Sequence, residues 1–320
     1  MSQSHCEACG RTTRHALQTR DLRGRWSEFA IDRCLRCGIG RSIPKPGDPY
    51  QDEAARTTAP IPADELQAEF DLNPVRSPWA EEIARVLIEA KVPEEVLDIG
   101  CAEGELLWHL SQGGLRCRGL ELRPKAVQVA TAIRGQAVEV GSVESFLQGS
   151  QTAGTIILSH VLEHLDEPVP VLSRLSRKAR VIAVAVPNSL SVRALVEWSG
   201  ATQRFAYAPS EHIWQMTVGG VRGLFSRAGL VVDAIVCCPL RPRRRSVRDT
   251  LRGPGPRPAV EAAPQQDGSQ LEGSQLEGSP RKGFLRKATW QVFDRSLLAV
   301  EKRIDASWLG DQIVALGHAR

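Results

Sequence analysis

The chain has no run approaching the ~18 consecutive apolar residues that a membrane-spanning helix requires. Its opening residues, Met1-Ser-Gln-Ser-His-Cys6, carry no apolar leader segment. Both absences predict a cytoplasmic protein, in which most of the eight cysteines stay reduced. A dominant charge is also lacking. The 41 Lys and Arg residues barely outnumber the 37 Asp and Glu, and the net charge of +4 does not demand a nucleic-acid partner. What remains is the composition of a globular protein, 42% hydrophobic and 24% charged. A length of 320 residues accommodates one sizeable core and a small accessory module.

A further absence narrows the function. Val96-Leu-Asp-Ile-Gly-Cys-Ala-Glu-Gly-Glu-Leu-Leu107 reads as a buried strand (Val96, Leu97, Ile99), a loop turning at Gly100 and Gly104, and the start of a helix. Such a unit binds a nucleotide-like cofactor at the carboxyl end of a sheet. Glu121 closes the next predicted strand, 21 residues beyond Gly100, the spacing at which a carboxylate meets a ribose hydroxyl pair. A dinucleotide fingerprint asks for Gly at 100, 102 and 105, where this chain has Gly100, Ala102 and Glu105. The missing third glycine argues against a pyrophosphate on the helix N-terminus, and Glu103 and Glu105 would repel one.

Two knuckles, Cys6-Glu-Ala-Cys9-Gly10 and Cys34-Leu-Arg-Cys37-Gly38, are separated by 24 residues. Each puts two thiolates on one side of a tight turn, and the pair completes a tetrahedral four-sulfur shell for Zn2+. Such a shell is closed, so the predicted ion is structural. The segment between the knuckles has few apolar residues (Leu17, Leu22, Trp26, Phe29 and Ile31) and suggests a short β-ribbon that needs the metal. Cys101, Cys117, Cys237 and Cys238 fall in or near predicted strands and read as small buried apolar residues.

The periodicity divides the chain into a four-Cys zinc ribbon (1–45), a linker (46–75), a core (76–238), a disordered insert (239–283) and a closing segment (284–320). Strands are predicted near 95–99, 116–121, 136–140, 154–159, 180–186 and 230–237. Helices are predicted near 77–90, 103–112, 124–134, 143–148, 168–178, 189–199 and 217–228. Ser77 and Pro78 begin the first of these helices. The alternation builds a mostly parallel α/β sheet with helices on both faces. The insert holds a basic run, Arg241–Arg248, and a Gly/Ser-rich repeat at 268–279. Residues 284–305 form an apolar helical stripe that covers the sheet or contacts a membrane surface. Gly310–Gly317 reads as a last strand of the sheet.

Four segments in order carry a resemblance: Asp98–Gly104, Gly119–Pro124, Thr155-Ile-Ile-Leu-Ser-His-Val-Leu-Glu-His-Leu-Asp-Glu-Pro168, and Val184–Asn188 with His212–Thr217. Over residues 76–238 the chain resembles class I, Rossmann-like S-adenosylmethionine-dependent methyltransferases of the type 11/12/23 group, with an N-terminal zinc ribbon. The resemblance implies a seven-stranded sheet whose last strand inserts antiparallel beside the fifth. It also implies that Asp98, Gly100, Cys101, Ala102 and Gly104 hold the methionine end of S-adenosylmethionine. Glu121 and Leu122 would meet the ribose, Ser142 and Val143 the adenine, and Ser159 and His160 the sulfonium. The third motif departs from the family's pattern, since Gly141-Ser-Val-Glu144 lacks the usual acid near the adenine amino group.

His212, His164 and His160 are the candidate general bases, because an imidazole titrates near neutrality. Tyr207 is a candidate lining residue. The implied reaction is O-methylation of a small molecule, sugar or glycan, or lipid-linked substrate. An RNA methyltransferase that grips RNA with its ribbon is the alternative. It is disfavoured by Glu7, Asp21, Glu28 and Asp32 in the ribbon, and by Ser159–Leu162 where a base-methylating enzyme carries an Asn-Pro-Pro-Tyr-type motif. A non-catalytic interaction protein on a methyltransferase scaffold is a third reading, which the intact Gly100, Gly104 and Glu121 oppose.

Overall fold

The computed structural model describes residues 3–18, 29–47, 60–72, 79–191, 194, 210–238 and 311–320. The helix start at Ser77–Pro78, Tyr207, the basic run, the Gly/Ser repeat and the 284–305 stripe lie outside them, as does most of the helix expected at 189–199.

Strands β1 (Gln3–His5), β2 (Thr12–Gln18), β3 (Ala30–Cys34) and β4 (Gly40–Ile43) form an antiparallel ribbon. Helix α1 (Ala63–Leu72) follows, inside the stretch expected to be linker. Its signal is slight because Leu66 is buried while most of its described neighbours are exposed. Helix α2 (Ala80–Glu89) leads into β5 (Glu95–Ile99). Then come α3 (Glu105–Gln112), β6 (Arg116–Glu121) and α4 (Pro124–Gln128), which runs on as a π turn to Ile133. β7 (Val138–Val140), α5 (Val143–Gln148) and β8 (Ala153–Ser159) follow. After α6 (Pro168–Leu175) and β9 (Ala179–Pro187), the chain adds β10 (Trp214–Gln215), α7 (Val218–Arg227), β11 (Leu230–Cys238) and β12 (Gln312–Ala319).

The large sheet has seven strands in the order β11-β12-β9-β8-β5-β6-β7. From β9 to β7 all pairs are parallel, and β12 runs antiparallel between β9 and β11. The central strands read as near-continuous apolar runs because both their faces are covered. Val96, Leu97 and Ile99 of β5 and Ile156, Ile157 and Leu158 of β8 are all at most 2% exposed. Each such side chain contributes roughly 1.5–3 kcal/mol by leaving water. On one face, Ile83 and Leu87 of α2 and Leu106 and Leu110 of α3 meet Val96, Ile157 and Val314. On the other, Phe146, Leu172, Leu175, Leu224 and Phe225 meet Leu97, Ile156, Leu158 and Ile313.

The ribbon does not stand apart from this core. Cys6, Ala8, Cys34 and Ile39 belong to the same hydrophobic cluster as Leu224 and Phe225. β10 adds itself to the ribbon by pairing antiparallel with β4, Trp214 opposite Arg41 and Gln215 opposite Gly40. The α7 sequence Val-Gly-Gly-Val-Arg-Gly shows why the two fit. A Cβ on Gly219 would stand 2.6 Å from the Cys37 carbonyl oxygen, and one on Gly223 would stand 2.9 Å from that of Ala8. The helix is kept bare where the knuckles lie against it, a close approach only glycine permits.

Candidate active site and cysteine cluster

The loop after β5 is held by its own backbone. Gly100 N–H and Cys101 N–H both donate to the Leu120 carbonyl (2.7 and 3.2 Å), and Gly104 N–H donates to the Cys101 carbonyl at 3.0 Å. Ala102 N–H donates to Glu121 Oε2 at 2.8 Å. These donors are spent inside the protein, so the loop is not a cradle for a pyrophosphate. A Cβ on Gly100 would meet Val161 Cγ2 at 2.5 Å, so the bare glycine lets the turn after β8 abut this loop.

Glu121 sits at the end of β6, 6% exposed, with Oε1 accepting from the Arg123 backbone N–H (3.0 Å) and guanidinium Nε (3.1 Å). Asp98 is 1% exposed, and its Oδ1 has no hydrogen-bond partner among the described residues. Burial, and then the Glu121 carboxylate, push the Asp98 carboxyl up to about 8. Burial likewise pushes the Cys101 thiol upward, which keeps it an inert apolar group.

Asp98, Gly100, Cys101, Ala102, Glu121, Leu122, Ser142, Val143, Ser159 and His160 all line one cavity of about 800 Å³. Gly104 flanks the loop without lining it. Ser142 spends its side chain on a cap, accepting from Ser145 N–H at 3.2 Å, while Ser145 Oγ accepts from Ser142 N–H at 2.8 Å. The Ser142 hydroxyl thus already serves as a cap acceptor, and the exposed Leu122 offers an apolar surface beside it. Sequence reasoning passed over Trp79, Lys45, Arg123 and Arg174, which also line the cavity. Lys45 comes from the end of the ribbon and pairs with Asp166 at 2.5 Å.

His160 leaves β8 with φ = +56°, in the left-handed region where a non-glycine residue stores strain. Its ring packs on Trp79 with centroids 4.6 Å apart, and Nδ1 lies 3.5 Å from Glu163 Oε1. Glu163 is fully buried. Burial alone would raise its carboxyl, but the His160, His164 and His212 rings around it hold it down at about 2. His164 also lines the cavity, and its Nδ1 lies 3.0 Å from the Glu211 carbonyl oxygen. His212 does not line the cavity. Its ring stands edge-on to His164 with centroids 4.9 Å apart, and burial pushes its imidazole down to about 4. The structure thus brings the three histidines together around one carboxylate and gives two of them to the cavity.

The four knuckle cysteines converge. Their sulfurs all lie within 4.8 Å of one another, and Cys6 Sγ and Cys37 Sγ are 3.7 Å apart. The second knuckle is tied to the core through Thr217 Oγ1, which donates to the Cys37 carbonyl at 2.7 Å. The first is tied through Arg227, which donates to the Glu7 carbonyl.

Residues 73–235 match the family described as a methyltransferase domain. The chain belongs to this family, of the class I, S-adenosylmethionine-dependent kind. The methyltransferase domain is 28% identical over 117 residues to a ubiquinone biosynthesis O-methyltransferase of Cupriavidus pinatubonensis, covering 35% of this chain and 45% of that protein. It is 29% identical over 125 residues to a 2-heptyl-1-hydroxyquinolin-4(1H)-one methyltransferase of Mycobacteroides abscessus, covering 36% and 53%. The chain thus spans about half the length of these curated relatives. A solved structure of an S-adenosylmethionine-dependent methyltransferase from Archaeoglobus fulgidus aligns with 79% of this chain and 98% of its own, at 15% identity and a TM-score of 0.46. No helix among the described residues is long and apolar enough to cross a membrane.

Proposed function

We propose that this protein is an O-methyltransferase that uses S-adenosylmethionine to methylate a hydroxyl group of a small molecule. The observation that carries the reading is the shared cavity, where the acidic loop of Asp98 and Glu121 and the His160 turn face one space. The residues suit a cationic cofactor. Asp98 Oδ1 offers a buried acceptor without a partner among the described residues, and Glu121, Glu103 and Glu105 bring carboxylates to the same space. Asp98 and the 100–102 backbone would hold the methionine end, Glu121 the ribose hydroxyls, and Leu122 with Val143 the adenine face. When bound, S-adenosylmethionine supplies a methyl group already activated by its sulfonium, so the chain's task is orientation and a place for the acceptor's proton.

His160 is the residue we assign to that proton. It lines the cavity, its Nε2 is buried without a hydrogen-bond partner among the described residues, and Glu163 lies beside its other nitrogen. The carboxylate would orient the ring and stabilise the imidazolium. His164 would fix the turn through the Glu211 carbonyl, and His212 would buttress His164. Oxygen as the acceptor atom is supported by the two relatives above, one of them named an O-methyltransferase and the other for a hydroxyquinolinone. The apolar lining of Leu165, Pro170, Val171 and Ile213 suits an acceptor with an apolar body. Labelled cofactor should be presented with phenols, hydroxyquinolones and nucleotide-sugars. Transfer to a hydroxyl is expected, and failure to bind cofactor by calorimetry would sink the assignment.

The cysteine cluster is read as a structural zinc site. A tetrahedral ion with Zn–S bonds of about 2.3 Å separates its sulfurs by about 3.8 Å, and Cys6 and Cys37 stand 3.7 Å apart. Cobalt substitution should give thiolate charge-transfer absorption that disappears in Cys34→Ser.

A further inference from the structure

We propose that Glu163, His164 and His212 bind a second metal ion, a divalent transition metal, beside the catalytic cavity. The three come from two elements distant in sequence, the turn after β8 and the segment before β10. Their ligand atoms nevertheless lie within 4.8 Å of one another. The Glu163 side chain carries the argument. It is 0% exposed, and neither carboxylate oxygen has a hydrogen-bond partner among the described residues. A buried carboxylate without compensation costs several kcal/mol, and paired cations or metals are the usual remedies. Its Oε1 faces His160 Nδ1 at 3.5 Å, so the His160 ring serves that oxygen. The second oxygen is left to another cation.

The histidines are prepared as ligands. The Glu211 carbonyl can only accept, so the contact at 3.0 Å makes His164 Nδ1 the protonated nitrogen and puts the ring's lone pair on Nε2. A backbone carbonyl behind one ring nitrogen is the usual support of a metal-bound histidine. The His212 backbone is fixed by Ser42 Oγ, which donates to its carbonyl at 2.8 Å. One carboxylate with two imidazoles favours Mn2+, Fe2+, Co2+ or Zn2+ over Mg2+ or Ca2+, which prefer oxygen. Three protein donors leave coordination positions for water or an acceptor oxygen. His164 lines the cavity, so the ion would adjoin the acceptor.

The test is binding rather than turnover, and it does not depend on the transfer reading. A protein that takes up the ion but methylates nothing defeats that reading and leaves this one standing. The full chain, stripped with chelator and reloaded with one equivalent of zinc, is titrated with Mn2+ and followed by electron paramagnetic resonance. One Mn2+ per chain is expected, with affinity reduced at least about 100-fold in Glu163→Gln. Equal affinity in that variant, or no Mn2+ bound by the unmutated chain, overturns the proposal. Should Glu163→Gln fail to fold, proton NMR of the unmutated chain decides. Mn2+ should broaden the His164 and His212 ring resonances before those of the half-buried His109 and the exposed His318. Equal broadening of all four means that Mn2+ is bound only adventitiously, and the proposal fails.

Discussion

Ser42 Oγ donates a hydrogen bond to the His212 carbonyl at 2.8 Å, linking residues 170 positions apart in the chain. The same oxygen accepts from Gln215 Nε2 at 3.1 Å, and Ser42 N–H donates to the Ile213 carbonyl at 2.9 Å. The ribbon therefore holds the segment that packs on the turn after β8. Trp214 completes the link by donating from Nε1 to the Leu165 carbonyl at 2.9 Å. Ser42→Ala leaves buried polar groups unmatched, which costs about 1–3 kcal/mol. Urea unfolding should show that loss, with a fall in turnover larger than any change in cofactor affinity. An unchanged midpoint would show that the bond contributes nothing.

In an isolated helix Gly→Ala stabilises by about 1 kcal/mol. At Gly219 the sign should reverse, because the new methyl meets the Cys37 carbonyl oxygen at 2.6 Å. Gly219→Ala is expected to destabilise by about 1–3 kcal/mol and to weaken metal retention by the knuckle cysteines. Thermal unfolding together with metal content after dialysis reads both effects. A more stable variant would mean that the ribbon can slide away from α7 at little cost.

The Asp98 carboxyl, pushed up to about 8 in the folded chain, binds a proton more tightly than its ordinary value near 3.8 allows in the unfolded one. Between those values the folded state holds the extra proton, so Asp98 makes the unliganded protein less stable as pH rises toward 8. Asp98→Asn should remove that slope between pH 6.5 and 8. A cationic cofactor prefers the ionised carboxylate, so its affinity should rise with pH up to about 8 and binding should release a proton. Calorimetry in two buffers of different ionisation enthalpy measures the release. Equal heats in both buffers would contradict it.

His160→Ala should lower kcat by about 10²–10⁴-fold, the range for loss of a general base, while cofactor binding through Asp98 and Glu121 persists. His212→Ala should act chiefly on stability, since His212 does not line the cavity. If the two variants exchange these phenotypes, the base is His212 and the cavity wall opens in the working enzyme.

Much of the fold was legible because its signals are local. The apolar runs of β5, β8 and β9 and the apolar stripe of α2 are written within ten residues each. β10 was not legible. Two residues carry no periodicity, and Trp214–Gln215 is a strand only because β4 lies beside it. Helix α1 escaped for a similar reason, with Leu66 as its buried anchor. The site divides in the same way. The Gly100 loop, Glu121 and the paired cysteines declare themselves by spacing. Lys45 and Trp79 reach the cavity only through the chain's path in space.

By itself the sequence determined the alternation of strands and helices in the methyltransferase core and the pairing of the four knuckle cysteines, because each depends on residue type at short spacing. Tertiary structure alone decided which histidines meet the cavity, and that the ribbon shares the core's hydrophobic cluster. Those outcomes turn on contacts such as Ser42 with His212 and Gly219 with Cys37. No local pattern encodes them, since the free energy that fixes them comes from packing surfaces remote in the chain.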